Sequence, residues 1–210
     1  MHKNGVLITF EGPEGSGKST HIRLLAQYLK SRGRSVFVTR QPGGSAIAAP
    51  LRTILLQTGE GLTALAELFL YEADRAQHVD ELIRPALTRG AVVLCDRFTD
   101  STVAYQGFGR GLDLQLVRSL NAAAAQGVKP QLTILLDVPV ERGLRLASKA
   151  KRGSDRLERA GLAFHRRVRR GFLALAAREP RRFRLVRQQI DPAATQARIR
   201  SAVDRYLKLA

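Results

Sequence analysis

Gly12-Pro13-Glu14-Gly15-Ser16-Gly17-Lys18-Ser19 is the stretch on which the reading of this chain turns. Its spacing, G-x-x-x-x-G-K-[ST], has a chemical meaning: small residues let successive backbone N–H groups turn inward on phosphate oxygens, a lysine reaches the outer phosphates, and a hydroxyl ligates Mg²⁺. Lys18 and Ser19 take the last two roles. Gly12, Pro13, Glu14, Gly15, Ser16, Gly17 and Thr20 complete the expected contact set for a nucleoside triphosphate. The flanks strengthen the reading. Val6-Leu7-Ile8-Thr9-Phe10 is an apolar run with the character of a buried strand, and from Thr20 to Leu29 apolar residues recur at helical spacing. A strand, a glycine-rich turn and a helix in that order aim the helix N-terminus at the phosphates.

Working outward, four more runs have strand character: Ser35 to Thr39, Ala91 to Cys95, Leu132 to Asp137 and Phe183 to Val186. Helical patterns separate them. Strands alternating with helices predict an α/β fold with a parallel sheet covered on both faces, here the three-layer P-loop NTPase fold with five parallel strands in one domain spanning 1–210. In such sheets ligands gather at the C-terminal ends of the strands, where Arg40-Gln41-Pro42-Gly43-Gly44, Asp96-Arg97 and Asp137 stand. Lys149-Ala150-Lys151-Arg152-Gly153-Ser154-Asp155-Arg156 is a polar, basic, glycine-containing segment between two helical patterns. It has the composition of a short lid, at about 149–157, that closes over phosphates.

With 210 residues and 44% hydrophobic content the chain suits one domain with a core on both faces of its sheet. Cys95 is the only cysteine, which excludes a disulfide within the chain and a cysteine-based metal cluster; inside an apolar run it is expected to be buried filler. The four histidines lack metal-ligand spacing. No secretory h-region or membrane-length apolar run is seen, so a soluble cytoplasmic protein is expected. The net charge of +17 is concentrated between Arg142 and Arg187, including Arg166, Arg167, Arg169, Arg170, Arg181, Arg182 and Arg184. Most of these are expected to form a solvated helix face. Without aromatic interleaving they predict no more than nonspecific nucleic-acid binding.

A phosphate loop serves motors, switches and kinases alike, and the acceptor side has to separate them. Phe10-Glu11-Gly12-Pro13-Glu14-Gly15-Ser16-Gly17-Lys18-Ser19-Thr20, Thr39-Arg40-Gln41-Pro42-Gly43-Gly44, Tyr71-Glu72-Ala73-Asp74-Arg75-Ala76-Gln77-His78, Cys95-Asp96-Arg97-Phe98-Thr99-Asp100-Ser101 and Ala104-Tyr105-Gln106-Gly107 together resemble bacterial thymidylate kinase in order and spacing. The resemblance continues through Asp155-Arg156-Leu157-Glu158 and covers nearly the whole chain. It implies transfer of the γ-phosphoryl group of ATP to dTMP. On that resemblance Lys18, Arg97, Arg152 and Arg156 are the catalytic cations, the last two from the lid, and Ser19 with Asp96 holds Mg²⁺, Asp96 through water. Asp137, which also ends an apolar run, is the rival for that place. Tyr71 looks like the aromatic that stacks on the base, Arg75 and Gln106 like the partners of its polar edge, and Glu14 like the reader of the sugar hydroxyl. Ser101, Arg40 and Tyr105 complete the dTMP set.

Some positions depart from the family pattern. Gln41 stands where glutamate is usual, which predicts weakened Mg²⁺ handling. Glu72 replaces a small residue, and Ala160 and Gly161 stand where acidic residues are common. The family is commonly a homodimer, and Leu62-Thr63-Ala64-Leu65-Ala66-Glu67-Leu68-Phe69-Leu70 is apolar enough for that surface or for ordinary core. Two other readings stand beside this one: a kinase for another deoxynucleotide, and a basic protein that uses ATP to gate nucleic-acid binding.

Overall fold

The computed structural model describes residues 5–57, 61–150, 156, 157 and 159–209. All six side chains of Val6–Glu11 (β1) are buried. A strand tolerates that only with a neighbour on each edge and a helical layer on each face. Val92–Asp96 (β3) and Leu132–Asp137 (β4) pair with β1, while Val36–Arg40 (β2) and Phe183–Arg187 (β5) take the edges, in the order β2-β3-β1-β4-β5. All pairings are parallel, and both Phe10 and Arg40 stand opposite Asp96. The strand ends that carry Glu11, Arg40 and Asp96 therefore share one rim. The five-stranded parallel α/β architecture expected from the sequence is the one found.

Helices connect the strands: Lys18–Ser31 (α1), Ala49–Gln57 (α2), Ala64–His78 (α3), Arg84–Thr88 (α4), Thr99–Thr102 (α5), Leu114–Ala125 (α6), Val140–Ala150 (α7), Leu162–Arg178 (α8) and Pro192–Leu207 (α9). Strand alternation divides the core. Ile8, Phe10, Leu94 and Ile134 pack against Leu25 and Leu29 of α1 and Ile199 and Val203 of α9. Leu7, Val93 and the buried Cys95 face the other way, against Val79, Ile83 and Phe98. Leu135 and Phe183 meet Phe164 and Phe172 of α8 on the same side. Each large apolar side chain buried this way contributes about 1.5–3 kcal/mol, so the central strand is the least adjustable part of the molecule.

Two segments wind as π-helix, Val79–Ile83 between α3 and α4 and Val103–Gly109 after α5. The second carries Tyr105 and Gln106, and its wide turn is closed by Arg110 N–H donating to Tyr105 O at 2.8 Å. Such insertions are often found at functional sites.

The arginine-dense segment is mixed: Arg166, Arg167, Arg170 and Arg181 are exposed, as expected of a solvated face, whereas Arg169, Arg182 and Arg184 are partly buried. Arg182 forks onto Asp100 at 2.6 and 2.9 Å and donates to Thr133 at 2.7 Å. Arg169 forks onto Asp137 at 2.6 and 2.8 Å, and Arg167 donates twice to Gly109 O. The exposed Arg166–Glu141 pair is of the surface kind. Period alone places an arginine on a face; it does not reveal a carboxylate brought there by a distant strand. No described helix is long and apolar enough to cross a membrane.

Candidate active site

The loop after β1 is built on glycines that nothing else replaces. Gly12, Gly15 and Gly17 have φ of 140°, 66° and 83°. A side chain at Gly12 would strike the Leu136 carbonyl of β4, and one at Gly15 the backbone of Gly143 in α7. The loop is thus wedged between β4 and α7, and Gly17 opens directly into α1. Lys18 folds back into it, donating to Gly12 O at 3.1 Å, Pro13 O at 3.0 Å and Ser16 Oγ at 3.2 Å. Burial, and then the charge of Arg97, pull the Lys18 ammonium down to about 8, although Glu14, Asp96 and Glu11 work in the opposite direction. A phosphate beside Lys18 would act in the same direction as those carboxylates and favour the charged ammonium.

The end of β3 provides the facing wall. Ser19 Oγ donates to Asp96 Oδ2 at 2.7 Å, so the predicted metal-side pair is in contact. Its rival Asp137 is occupied by Arg169. Arg97 has φ of 70°, in the left-handed region that a non-glycine residue enters at a cost of about 1 kcal/mol or more. Its N–H holds Phe10 O at 3.0 Å. This conformation aims the guanidinium at the loop, where it donates to Gly12 O and Ser101 Oγ, both at 3.1 Å, to Glu14 Oε1 at 2.8 Å and to the Tyr105 hydroxyl at 3.1 Å. Tyr105 donates to the same Glu14 oxygen at 2.7 Å.

Glu11 escaped the sequence reading. Fully buried, it accepts from Phe98 N at 2.8 Å and from Ser101 Oγ at 2.5 Å, and so anchors the segment that bears Ser101. The available signal was an acid closing an otherwise apolar strand. Burial first, and then the neighbouring Asp100, raise its carboxyl to about 7.

These groups open on a cavity of about 520 Å³. The loop lines it from Glu14 to Thr20, with Arg40, Asp96 and Arg97, and so do Tyr71, Arg75, Ser101, Tyr105 and Gln106. Gly12 and Pro13 act from behind, through their carbonyls. Arg152 lies outside the described residues. Arg156 is turned away from the loop, donating to Leu55 O at 3.1 Å and pairing with Glu67. The cavity also takes in Arg52 of α2 and Gln188 after β5. Gln188 follows a strand end and was open to the same inference as Asp96, whereas Arg52 looks like any arginine on a helix.

Arg75 is 2% exposed and commits all five N–H groups: to Gln41, Glu72, Asn121, the Phe98 carbonyl and Thr102. Arg75 can only donate, so Gln41 presents its oxygen there and its nitrogen, at 2.9 Å, to His78 Nδ1. His78 then carries its proton on Nε2, 2.6 Å from the Thr39 hydroxyl. A glutamate at position 41 would offer His78 no donor. The departure at Gln41 therefore matches a neutral histidine, and both ends of its amide are bonded, to Arg75 and to His78.

Burial, and then Arg75, lower His78 to about 4 from 6.5. The unfolded chain takes up that proton first, so this group's contribution is complete above pH 6.5 and is lost as pH falls toward 4, by about 3 kcal/mol. Glu11 acts with the opposite sign. Raised to about 7 from 4.5, it contributes most below pH 4.5 and loses a similar amount, about 3 kcal/mol, as pH rises through 7. The two slopes largely cancel between pH 4.5 and 6.5. In urea unfolding across that window, His78→Asn should gain stability relative to the parent on acidification, and Glu11→Gln should lose it; curves that stay parallel to the parent's would refute the assignment.

The thymidylate kinase family model matches residues 10–199. A thymidylate kinase of Desulfovibrio desulfuricans is 53% identical over 97% of each chain, and one of Synechococcus is 52% identical over 98% of this chain and 97% of that one. Among solved structures, the crystal structure of thymidylate kinase from Ehrlichia chaffeensis matches with a TM-score of 0.79 and 32% identity, covering 95% of this chain and 98% of that one.

Proposed function

The chain belongs to the thymidylate kinase family, and we propose that it transfers the γ-phosphoryl group of ATP to dTMP in the cavity above β1 and β3, giving dTDP and ADP. One observation carries the reading: Lys18 and Arg97 donate to the same Gly12 carbonyl, each at 3.1 Å. The cation for the donor phosphates and the cation for the acceptor phosphate thus meet at one point, as in-line transfer requires. The attacking oxygen belongs to a phosphate that is already anionic, so the residues position the groups and stabilise charge without a strong base.

Ser19 and Asp96 would hold Mg²⁺. One hydroxyl and one carboxylate suit an ion that keeps water and phosphate oxygens as most of its ligands, and no cluster of three or more His, Cys, Asp or Glu suited to a metal occurs among the described residues. The ion would neutralise charge on the transferred group. Arg152 and Arg156 would serve from the lid, Arg156 after leaving Glu67. Tyr71 stacks on the base, Gln106 faces its polar edge, Arg75 would reach that edge only by releasing one of its five partners, and Glu14, Ser101, Arg40 and Tyr105 line the path of the sugar and phosphate.

The subunits pair through Ile54, Leu65, Phe69 and Leu116, apolar residues 40–51% exposed on α2, α3 and α6. The enzyme works in the cytoplasm, where both nucleotides are met.

ADP release with Mg-ATP and dTMP, UMP, CMP or AMP tests the reading. Turnover is expected with dTMP and at most weakly with the others. No turnover with dTMP, or equal turnover with all four, would overturn it.

A further inference from the structure

We propose that Glu67 fixes which way the Gln106 amide faces, and so selects pyrimidines that carry a proton on N3, thymine and uracil, over cytosine. The inference rests on Gln106 contacting the base.

Glu67 is fully buried on α3 and lies outside the cavity wall. Its Oε1 accepts from Gln106 Nε2 at 2.6 Å; Arg110 donates to the same carboxylate at 3.3 and 3.0 Å, and Arg156 pairs with it. An amide alone is ambiguous, since half a turn exchanges its oxygen for its nitrogen. A carboxylate is not ambiguous, because it only accepts. The short contact therefore commits the nitrogen of Gln106 to Glu67. The oxygen, on the other branch, goes to the cavity that Gln106 lines, and only Glu67 bonds to this amide among the described residues. An oxygen there accepts the N3–H of thymine or uracil. Cytosine offers a lone pair at N3, and two acceptors facing each other in a buried site leave both unsatisfied. Glu67 touches no part of the base. It is a positioning residue.

The test is the ratio of dTMP to dCMP affinity, measured by calorimetry without ATP, in the parent and in Glu67→Gln. A glutamine can donate to the Gln106 oxygen as well as accept from its nitrogen, so the amide is free to turn. The ratio is expected to fall about tenfold or more, while the ratio of dTMP to dUMP stays as in the parent, since the two share N3–H. Loosened packing or a displaced Arg156 weakens both ligands alike and leaves the ratio unmoved. If Glu67→Gln does not fold, Glu67→Asp keeps the charge that the arginines need and withdraws it from Gln106, and the same fall is expected. A folded variant with the parent's dTMP to dCMP ratio overturns the role of Glu67 alone. A parent that binds dTMP and dCMP equally overturns the base assignment with it.

Discussion

Lys18→Ala should slow dTMP turnover by about a thousandfold or more while leaving a folded protein. Lys18 carries out two tasks at once. Its ammonium ties together the Gly12 and Pro13 carbonyls and the Ser16 hydroxyl, and it supplies positive charge where charge develops on the transferred group. Alanine removes the stabilising cation and the tie across the loop, so the loss falls mainly in kcat. Stability should move the other way. A lysine held at about 8 instead of 10.5 is a buried charge that the folded chain tolerates at a cost of about 3 kcal/mol near neutral pH. The parent's stability should rise between pH 8 and 10.5 as the unfolded chain releases its extra proton last, and the variant should lack that rise. Steady-state ADP release and urea unfolding on the same preparation check both halves. Activity within tenfold of the parent would remove Lys18 from the catalytic set.

Arg97→Lys should cost about 10²- to 10³-fold in kcat with little change in the KM for ATP. The substitution keeps the charge and discards the fork. Arg97 reaches Gly12 O, Ser101, Glu14 and Tyr105 with two terminal nitrogens, each serving two partners. An ammonium on a flexible stem, with three donors and no fixed fork, can reproduce neither that arrangement nor a two-oxygen grip on a phosphate. The strained backbone at φ 70° would remain without the guanidinium it aims. Initial rates with dTMP and ATP varied separately decide the matter, and an unchanged kcat would place Arg97 outside the reaction.

Much of this was legible before any coordinates. Val6 to Phe10 reads as a buried strand because β1, covered on both faces, has no solvent side to interrupt the apolar run. Gly12 to Ser19 is legible because the backbone turns it requires admit few residue types. The site motifs follow strand ends because a parallel sheet sends every C-terminus to the same rim. What stayed hidden depends on partners far apart in the chain. Arg182 reads as surface until Asp100, 82 residues away, is brought beneath it. Arg75 reads as a partner of the base's polar edge until acceptors from three other segments and its own helix close around it.

The chain's sequence by itself determined the α/β sheet, the phosphate loop and the family, because those depend on local periodicity and on residue types that backbone geometry makes irreplaceable. The tertiary structure alone decided which groups are already paired: Asp137 with Arg169, Gln41 with His78, and Glu67 with Gln106, Arg110 and Arg156. A side chain's charge and hydrogen-bonding capacity are written in its identity. Whether they are available to a substrate depends on what folding brings within 3 Å or so of them, and that distance has no counterpart in the linear order.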